Sequence, residues 1–211
     1  FDVDAVAAAA RAANEEPVVY VAADAELRSA RRVVVDQPVY AWVERALGDD
    51  DAAAQLEAVM RLGAATDPAA EVRMLAARAL AACVRGARGF EPAAPVRRAA
   101  CAALAAWQRR EHVRAAPAGA PPASLYGSAQ LRKAFDERFK RSGGRGGLRP
   151  GAFPRNDRAA ADALSLKASL VAALGDARPP RGVRAKGAHR DDAVPRLVEL
   201  LRGHDDAGDD D

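Results

Sequence analysis

Alanine-rich segments interrupted by glycine and proline fill the chain after Pro38, and they constrain its fold more than any other feature. Alanine has the highest helix propensity, whereas glycine and proline end helices. Half of the 211 residues are hydrophobic but only 5% are aromatic, so helices are favoured while little surface is available for burial. We therefore expect residues 38–203 to form successive helices with a thin core that relies on neighbouring chain or on partners.

Apolar positions spaced by three and four residues define the individual helices. In one of them Leu56, Val59, Met60 and Gly63 lie on a predicted buried face, with Asp49–Asp51 supplying the N-cap and Gly63 also the C-cap. Further helices are predicted from Tyr40 to Leu47, from Pro68 to Gly86, from Pro95 through Trp107, from Ser124 through Phe139, from Asn156 through Leu174 and from Val194 to Leu201.

A Val-Arg pair introduces two of these alanine-lined helices, at Val72-Arg73 and at Val96-Arg97. Such a pair is typical of HEAT-type repeats, in which the valine packs inward and the arginine ties neighbouring repeats together. The two copies lie closer together than the roughly 40 residues of a full HEAT repeat. Short helices joined by short loops still favour a HEAT-like α-solenoid over a bundle.

The beginning and the end of the chain differ from this helical region. Residues 1–16 are alanine-rich without a strong apolar period, which predicts a linker or a poorly ordered segment. The runs Val18–Val21 and Arg32–Val35 are β-branched and predict two strands. Because a lone hairpin is marginal in water, we interpret residues 17–37 as the terminal strands of an incomplete β-sandwich. Residues 204–211 form an acidic tail.

Motifs for catalysis or cofactor binding are missing from the sequence: it has no H-E-x-x-H, no glycine-rich phosphate loop, no G-x-S-x-G and no C-x-x-C. His112, His189 and His204 have no metal-ligating partner at helical spacing. Cys83 and Cys101 are expected to be buried free thiols. We therefore expect no enzymatic activity, no cofactor, no metal and no small-molecule substrate.

No apolar run approaches the roughly 20 residues that cross a bilayer, so no membrane contact is expected. The chain starts with Phe1 rather than with Met and shows no charged-then-apolar leader. We therefore expect coding sequence upstream and no signal peptide.

The stretch from Arg132 to Arg155 is strongly basic and is the one feature that indicates a binding partner. Its cations can contact phosphates, which need only charge and reach, and its glycines let the backbone approach a duplex. An acidic protein partner and a solvated loop explain the same composition, and all three interpretations stay open. The candidate contacts to DNA or to an acidic partner are Arg132, Lys133, Arg138, Lys140, Arg141, Arg145 and Arg149.

The order of residues from Val18 to Leu62 carries a family resemblance without a gap. The matching positions are Tyr20, Asp24, Arg31, Val33, Gln37, Tyr40 and Trp42, followed by Asp51, Ala54, Gln55 and Glu57 in an Asp-x-x-Ala-Gln-x-Glu helix. This order resembles the second subunit of the general transcription factor TFIID, at the junction between its aminopeptidase-like part and its helical repeats.

Shorter motifs extend the resemblance through most of the chain. They are Val72-Arg73-Met74, Ala134-Phe135, Arg138-Phe139, the segment Pro154–Asp157, the segment Leu166–Ala168 and the segment Leu197–Asp206. The connection from Leu62 to Val72 is shorter than in the family, and residues 93–115 have no clear counterpart there.

The resemblance implies a non-catalytic scaffold in the nucleus. The family's aminopeptidase-like part is considered inactive, and its helical repeats hold other TFIID subunits and assist core-promoter binding in RNA polymerase II transcription initiation. Two alternatives stay open, the C-terminal helical domain of a zinc aminopeptidase and a generic HEAT-like adaptor. An intact zinc-binding helix upstream would indicate the enzyme, because that enzyme family shares the order of sandwich and repeats.

Overall fold

The computed structural model describes residues 35–86, 90–115, 125–139 and 161–177. This part of the chain is mainly helical and contains no strand, as the prediction of a mainly α fold requires. Its helices are α1 (Val39–Gly48), α2 (Ala52–Ala64), α3 (Ala70–Arg85), α4 (Ala94–Ala115), α5 (Tyr126–Phe139) and α6 (Ala161–Asp176).

Several predicted segments lie outside the described residues. They include residues 1–16, the strand Val18–Val21, the helix Val194–Leu201 and the acidic tail. Of the second predicted strand only Val35 is described, and it has no regular secondary structure. The β-sandwich segment therefore stays a prediction.

Local signals in the sequence set two of the helix ends where they were predicted. The Oδ1 atom of Asp51 accepts a hydrogen bond from the backbone N–H of Ala53 at 2.9 Å, which satisfies a free donor in the first turn of α2. At the end of α3, Gly86 takes a φ of +72°, and its N–H donates to the carbonyl of Ala82 at 2.8 Å. Glycine adopts that left-handed conformation without steric cost, so it ends the helix cleanly.

The predicted buried face and C-cap of α2 are partly wrong. Gly63 lies inside the helix, which continues to Ala64, and Met60 is 57% exposed. Val59 and Gly63 are buried as predicted, and Ala58 and Leu62 complete the inner face. This inner face follows from tertiary packing, because a Cβ added at Gly63 would lie 2.7 Å from the Cβ of Ala103, so α2 and α4 approach closely there.

The start of α3 also differs from the prediction. The helix begins at Ala70 and not at Pro68, because Ala69 has extended backbone angles and serves as the N-cap residue. Its N–H is held by the Oδ1 atom of Asp67 at 2.8 Å, so the aspartate organises the turn before the helix. Val72 in the first turn is only half-buried.

The order of helix contacts defines the architecture. Each described helix packs against helices one or two places away in the chain and against no others. Helix α4, for example, contacts α2, α3, α5 and α6 but not α1. A closed bundle brings early helices against late ones, whereas stacked helix pairs contact only their neighbours. The arrangement is that of an α-solenoid-like array, with α1, α3 and α5 in one layer and α2, α4 and α6 in the other.

Two contacts between helices show that the helices of the first layer run in the same direction. The Sγ atom of Cys83 near the end of α3 lies 3.8 Å from the carbonyl oxygen of Ala46 near the end of α1. Arg85 at the end of α3 pairs with Glu137 near the end of α5, with Nε 3.1 Å from Oε2. The carboxyl ends of α1, α3 and α5 therefore lie on one side of the array.

Large side chains are few in the core, and alanine fills the remaining contacts. Trp42 and Trp107 are both buried, as their apolar helix positions predict. Small side chains let helix backbones approach closely, so dispersion contacts replace part of the burial that aromatic residues usually provide. The largest fully buried side chains include Trp107, Phe135, Leu62, Leu80, Leu104, Leu131 and Leu170.

The arginine of the first Val-Arg pair links two helices, as the pattern predicts, whereas the arginine of the second makes a local contact. Arg73 Nε donates to Glu111 Oε1 at 2.9 Å and joins α3 to α4. Arg97 Nη2 donates to Glu91 Oε1 at 2.8 Å and fixes the segment that precedes α4. These guanidinium groups are largely buried, so their orientation is set by their carboxylate partners.

The close approach of α2 and α4 gives a stability prediction. In Gly63→Ala the added Cβ would lie 2.7 Å from the Cβ of Ala103, so we expect the free energy of unfolding to fall by about 1–3 kcal/mol. The control is Gly175→Ala in α6, where nothing lies within 4 Å of the added atom. There we expect no loss and a gain of up to about 1 kcal/mol from helix propensity. Urea denaturation followed by circular dichroism measures both variants.

The double variant Gly63→Ala with Ala103→Gly isolates the interhelical contact. Removing the opposing Cβ makes room, so we expect part of the lost stability to return. Wild-type stability in the single variant Gly63→Ala would contradict the close approach of these two helices.

Candidate partner-binding surface

The two cysteines are buried in helices and form no disulfide with each other. Cys83 in α3 and Cys101 in α4 both have fully buried side chains, which confirms the prediction of buried free thiols. Burial disfavours the thiolate and raises the pKa of each thiol to about 12. A reactive cysteine needs an exposed, low-pKa thiolate, so these residues contribute packing rather than chemistry.

The described histidine lies in the second half of α4. His112 is 5% exposed and follows Glu111, which is 6% exposed. Within the residues that the structure describes, no group of three or more His, Cys, Asp or Glu side chains is placed to hold a metal ion. His189 and His204 lie outside those residues.

Three of the seven candidate basic contacts lie on α5, and the structure places each of them beside other groups of the same chain. Arg132 is half-buried, whereas Lys133 is exposed. The Nζ atom of Lys133 lies 3.8 Å from Glu137 Oε1, and Arg138 Nη2 lies 3.5 Å from Glu91 Oε1. Their contact with DNA or an acidic partner stays a prediction. The other four, which are Lys140, Arg141, Arg145 and Arg149, lie outside the described residues.

Glu91 joins the basic face of α5 to the start of α4. Its pKa is lowered, first by the hydrogen bond and charge of Arg97 and then by the hydrogen bond from Arg138. One carboxylate thus forms ion pairs with two guanidinium groups. The charge of Arg138 is partly compensated within the fold, and less of it is left for an outside anion.

A second cationic group, which was not predicted, gathers at the end of α4. Arg73 and Arg114 share the carboxylate of Glu111, each with a nitrogen 2.9 Å from Oε1. Arg110 also donates to a backbone carbonyl in the last turn of α2, and Arg114 donates to one in the segment that follows α2. We call Arg73, Arg109, Arg110 and Arg114 the α4 arginine cluster. The run of arginines at residues 109–114 was the available signal, but the contribution of Arg73 depends on the fold.

No protein-family model, no curated protein and no solved structure matches the chain. Among the described helices, none combines the length and the hydropathy needed to cross a bilayer.

The buried thiols give a prediction about reactivity. A thiol-specific reagent such as Ellman's reagent should leave Cys83 and Cys101 unmodified in the folded chain at neutral pH, because both are buried and protonated. Both should react at once in denaturant. Rapid modification of the folded chain would contradict the packing of α3 against α1 and α4.

The buried carboxylate of the α4 arginine cluster gives a stability prediction. Glu111→Gln removes the charge that compensates Arg73 and Arg114, and we expect the free energy of unfolding to fall by about 2–3 kcal/mol. The matched control is Glu137→Gln, which removes the partner of Arg85 from a pair that is much more exposed. There we expect a loss of about 0–1 kcal/mol. Equal losses in chemical denaturation would show that the two carboxylates do not differ in their structural role.

Proposed function

We propose that this chain is a non-catalytic helical scaffold segment that holds partner proteins. The observation that carries the proposal is the contact order of the six described helices, in which each packs only against those one or two places away among them. Stacked arrays of this kind leave extended surfaces that partners occupy. The repeat class we propose is HEAT-like, because Val-Arg pairs introduce two of the helices and Arg73 of the first pair links α3 to α4.

The alanine-rich core supports a role that depends on partners. Alanine buries little apolar area, so each helix gains less from packing than a helix rich in leucine or phenylalanine. A partner that binds the folded array and not the unfolded chain adds its binding free energy to the stability of the array. Binding and folding are therefore expected to support each other.

The specific proposal is that the scaffold belongs to the second subunit of TFIID and works in the nucleus. It is supported by the ungapped resemblance from Val18 to Leu62, with the shorter motifs that follow it in the same order. Its proposed partners are other TFIID subunits, and core-promoter DNA is a further partner that the basic segment Arg132–Arg155 would contact. These assignments rest on the resemblance.

Reconstitution tests the proposed function. The purified chain is mixed with each recombinant TFIID subunit of the same organism, and complexes are measured by size-exclusion chromatography with light scattering. We expect a stoichiometric complex with at least one subunit and a higher midpoint of thermal unfolding for the chain in that complex. The variant Leu104→Asp, which places a charge at a fully buried position, should lose the complex if binding needs the folded array.

A folded chain that binds none of the subunits would overturn the assignment to TFIID. Recovery of the full-length transcript then separates the alternatives. An intact zinc-binding helix upstream, together with hydrolysis of aminoacyl substrates by the full-length protein, would assign the chain to a zinc aminopeptidase. A transcript without any aminopeptidase-like part would favour a generic HEAT-like adaptor.

A further inference from the structure

An open depression of about 500 Å³ lies at the carboxyl end of α4. It is lined by Arg109, Arg110, Val113 and Arg114, which share one side of the helix because they are spaced by three and four residues. Its accessible lining is mainly apolar, so the valine and the carbon stems of the arginines form the floor. Val113 is 51% exposed there.

Positive charge around this depression exceeds the negative charge that the fold supplies. The α4 arginine cluster contains four guanidinium groups, and Glu111 is the one carboxylate that pairs with any of them within the described residues. The carboxylate of Asp67 accepts from the N–H of Ala69 and forms no ion pair within the described residues; even with its charge counted, two carboxylates face four guanidinium groups. A net positive field is therefore left at the surface.

Burial and mutual repulsion act on Arg110 at the centre of the group. Its pKa is lowered, first by burial and then by the charge of Arg114, with a smaller part from Arg109, while Glu111 acts in the opposite direction. An added anion would relieve the repulsion between these neighbours. The carbonyl of Gly63 accepts from Arg110 but carries only a partial charge.

Within the part of the chain that the structure describes, Arg109 has no structural contact that explains it. Its side chain is exposed, and it makes no ion pair or hydrogen bond within the described residues. Each of the other three arginines holds a backbone carbonyl of the segment from Gly63 to Pro68. Among the described residues nothing pairs with the charge of Arg109, which faces the depression.

We infer that the depression at the end of α4 is the docking site for an acidic peptide segment of a partner protein. Carboxylates of the peptide pair with Arg109, Arg110 and Arg114, and an apolar side chain of the peptide covers Val113. This inference rests on the proposed scaffold function and adds to it the place and the chemistry of one partner contact. Guanidinium groups suit this role, because they bind carboxylates in a planar, two-point geometry.

The shape of the site favours a peptide over nucleic acid. A nucleic-acid backbone is held by cations spread along its length, whereas these arginines surround one compact apolar floor. Phosphate and sugar offer nothing apolar to cover Val113. A peptide that alternates acidic and apolar residues matches both the charge and the floor.

Fluorescence anisotropy on the whole chain tests the inference. The probe is a fluorescein-labelled peptide of glutamate and leucine, and its control is the same peptide with glutamine in place of glutamate. We expect the wild-type chain to bind the acidic probe at least about tenfold more tightly than the control. Val113→Ser should weaken binding of the acidic probe about fivefold by removing apolar contact.

A matched pair of charge reversals locates the site. Arg109→Glu should weaken the acidic probe about tenfold, because it removes one attraction and adds a repulsion. The control is Arg78→Glu on α3, which reverses another exposed arginine that has no ion pair among the described residues. It should stay within about twofold of wild type. Circular dichroism and thermal unfolding verify that both variants keep the fold.

Four outcomes would overturn the inference. The first is no measurable binding of the acidic probe by the wild-type chain, and the second is an equal effect of Arg109→Glu and Arg78→Glu. The third is a loss of affinity for a labelled DNA duplex in Arg109→Glu with unchanged peptide binding, which would assign the site to nucleic acid. The fourth is tighter binding after removal of residues 204–211, which would make the chain's own acidic tail the occupant.

The same variants separate this inference from the proposed function. A TFIID subunit complex that survives Arg109→Glu supports the scaffold and overturns the docking site as its contact. Selective loss of the acidic probe in Arg109→Glu, in a chain that binds no TFIID subunit, supports the docking site and overturns the TFIID assignment.

Discussion

The position of α4 depends on how closely its neighbours can approach it, and four of the five other described helices pack against it. On one side a Cβ added at Gly63 would lie 2.7 Å from the Cβ of Ala103. On another side a Cβ added at Gly127 would lie 3.0 Å from the Cβ of Gln108. Real Cβ atoms do not approach as closely as the first distance, so α2 reaches its place because it presents glycine. Close packing through small residues gives the alanine-rich core a high packing density, which stabilises the fold.

This packing also buries polar groups of α4. Their hydrogen bonds are directional, so they fix an orientation of the helix that apolar packing alone does not fix. Gln108 is fully buried, and its Oε1 atom accepts from the backbone N–H groups of Gly127 at 2.8 Å and Ser128 at 3.3 Å. It therefore satisfies free donors in the first turn of α5, as an N-cap does, although it belongs to another helix. Glu111 likewise accepts a hydrogen bond from the guanidinium group of Arg73 in α3. A buried polar group without a partner costs free energy, so these bonds fix the rotation of α4 between its neighbours.

The sequence predicts what local chemistry decides and misses what the packing decides. Alanine content and the positions of glycine and proline place the helices, and Asp51 and Gly86 set helix ends through their own side chain or backbone angles. Gly63 was misread as a cap because a helix end and a close helix crossing both favour glycine, and only the crossing partner distinguishes them. The candidate site shows the same division. Composition finds Lys133 and Arg138. The partner of Lys133 is Glu137, one turn along the same helix, whereas Glu91, the partner of Arg138, comes from another part of the fold.

The α4 arginine cluster shows how a structural need can create a surface for binding. Carbonyls at the end of α2 and in the segment after it lack helical partners, and Arg73, Arg110 and Arg114 donate to them. Each arginine also brings a full positive charge, whereas a carbonyl returns only a partial negative one. Glu111 balances part of the sum, and Arg109 adds to the remainder without bonding to any described group. Among the described residues no carboxylate besides Glu111 pairs with the cluster, so the contacts on this side of the array leave positive charge at its surface. An anion that bound there only in the folded state would add its binding free energy to the stability of the array.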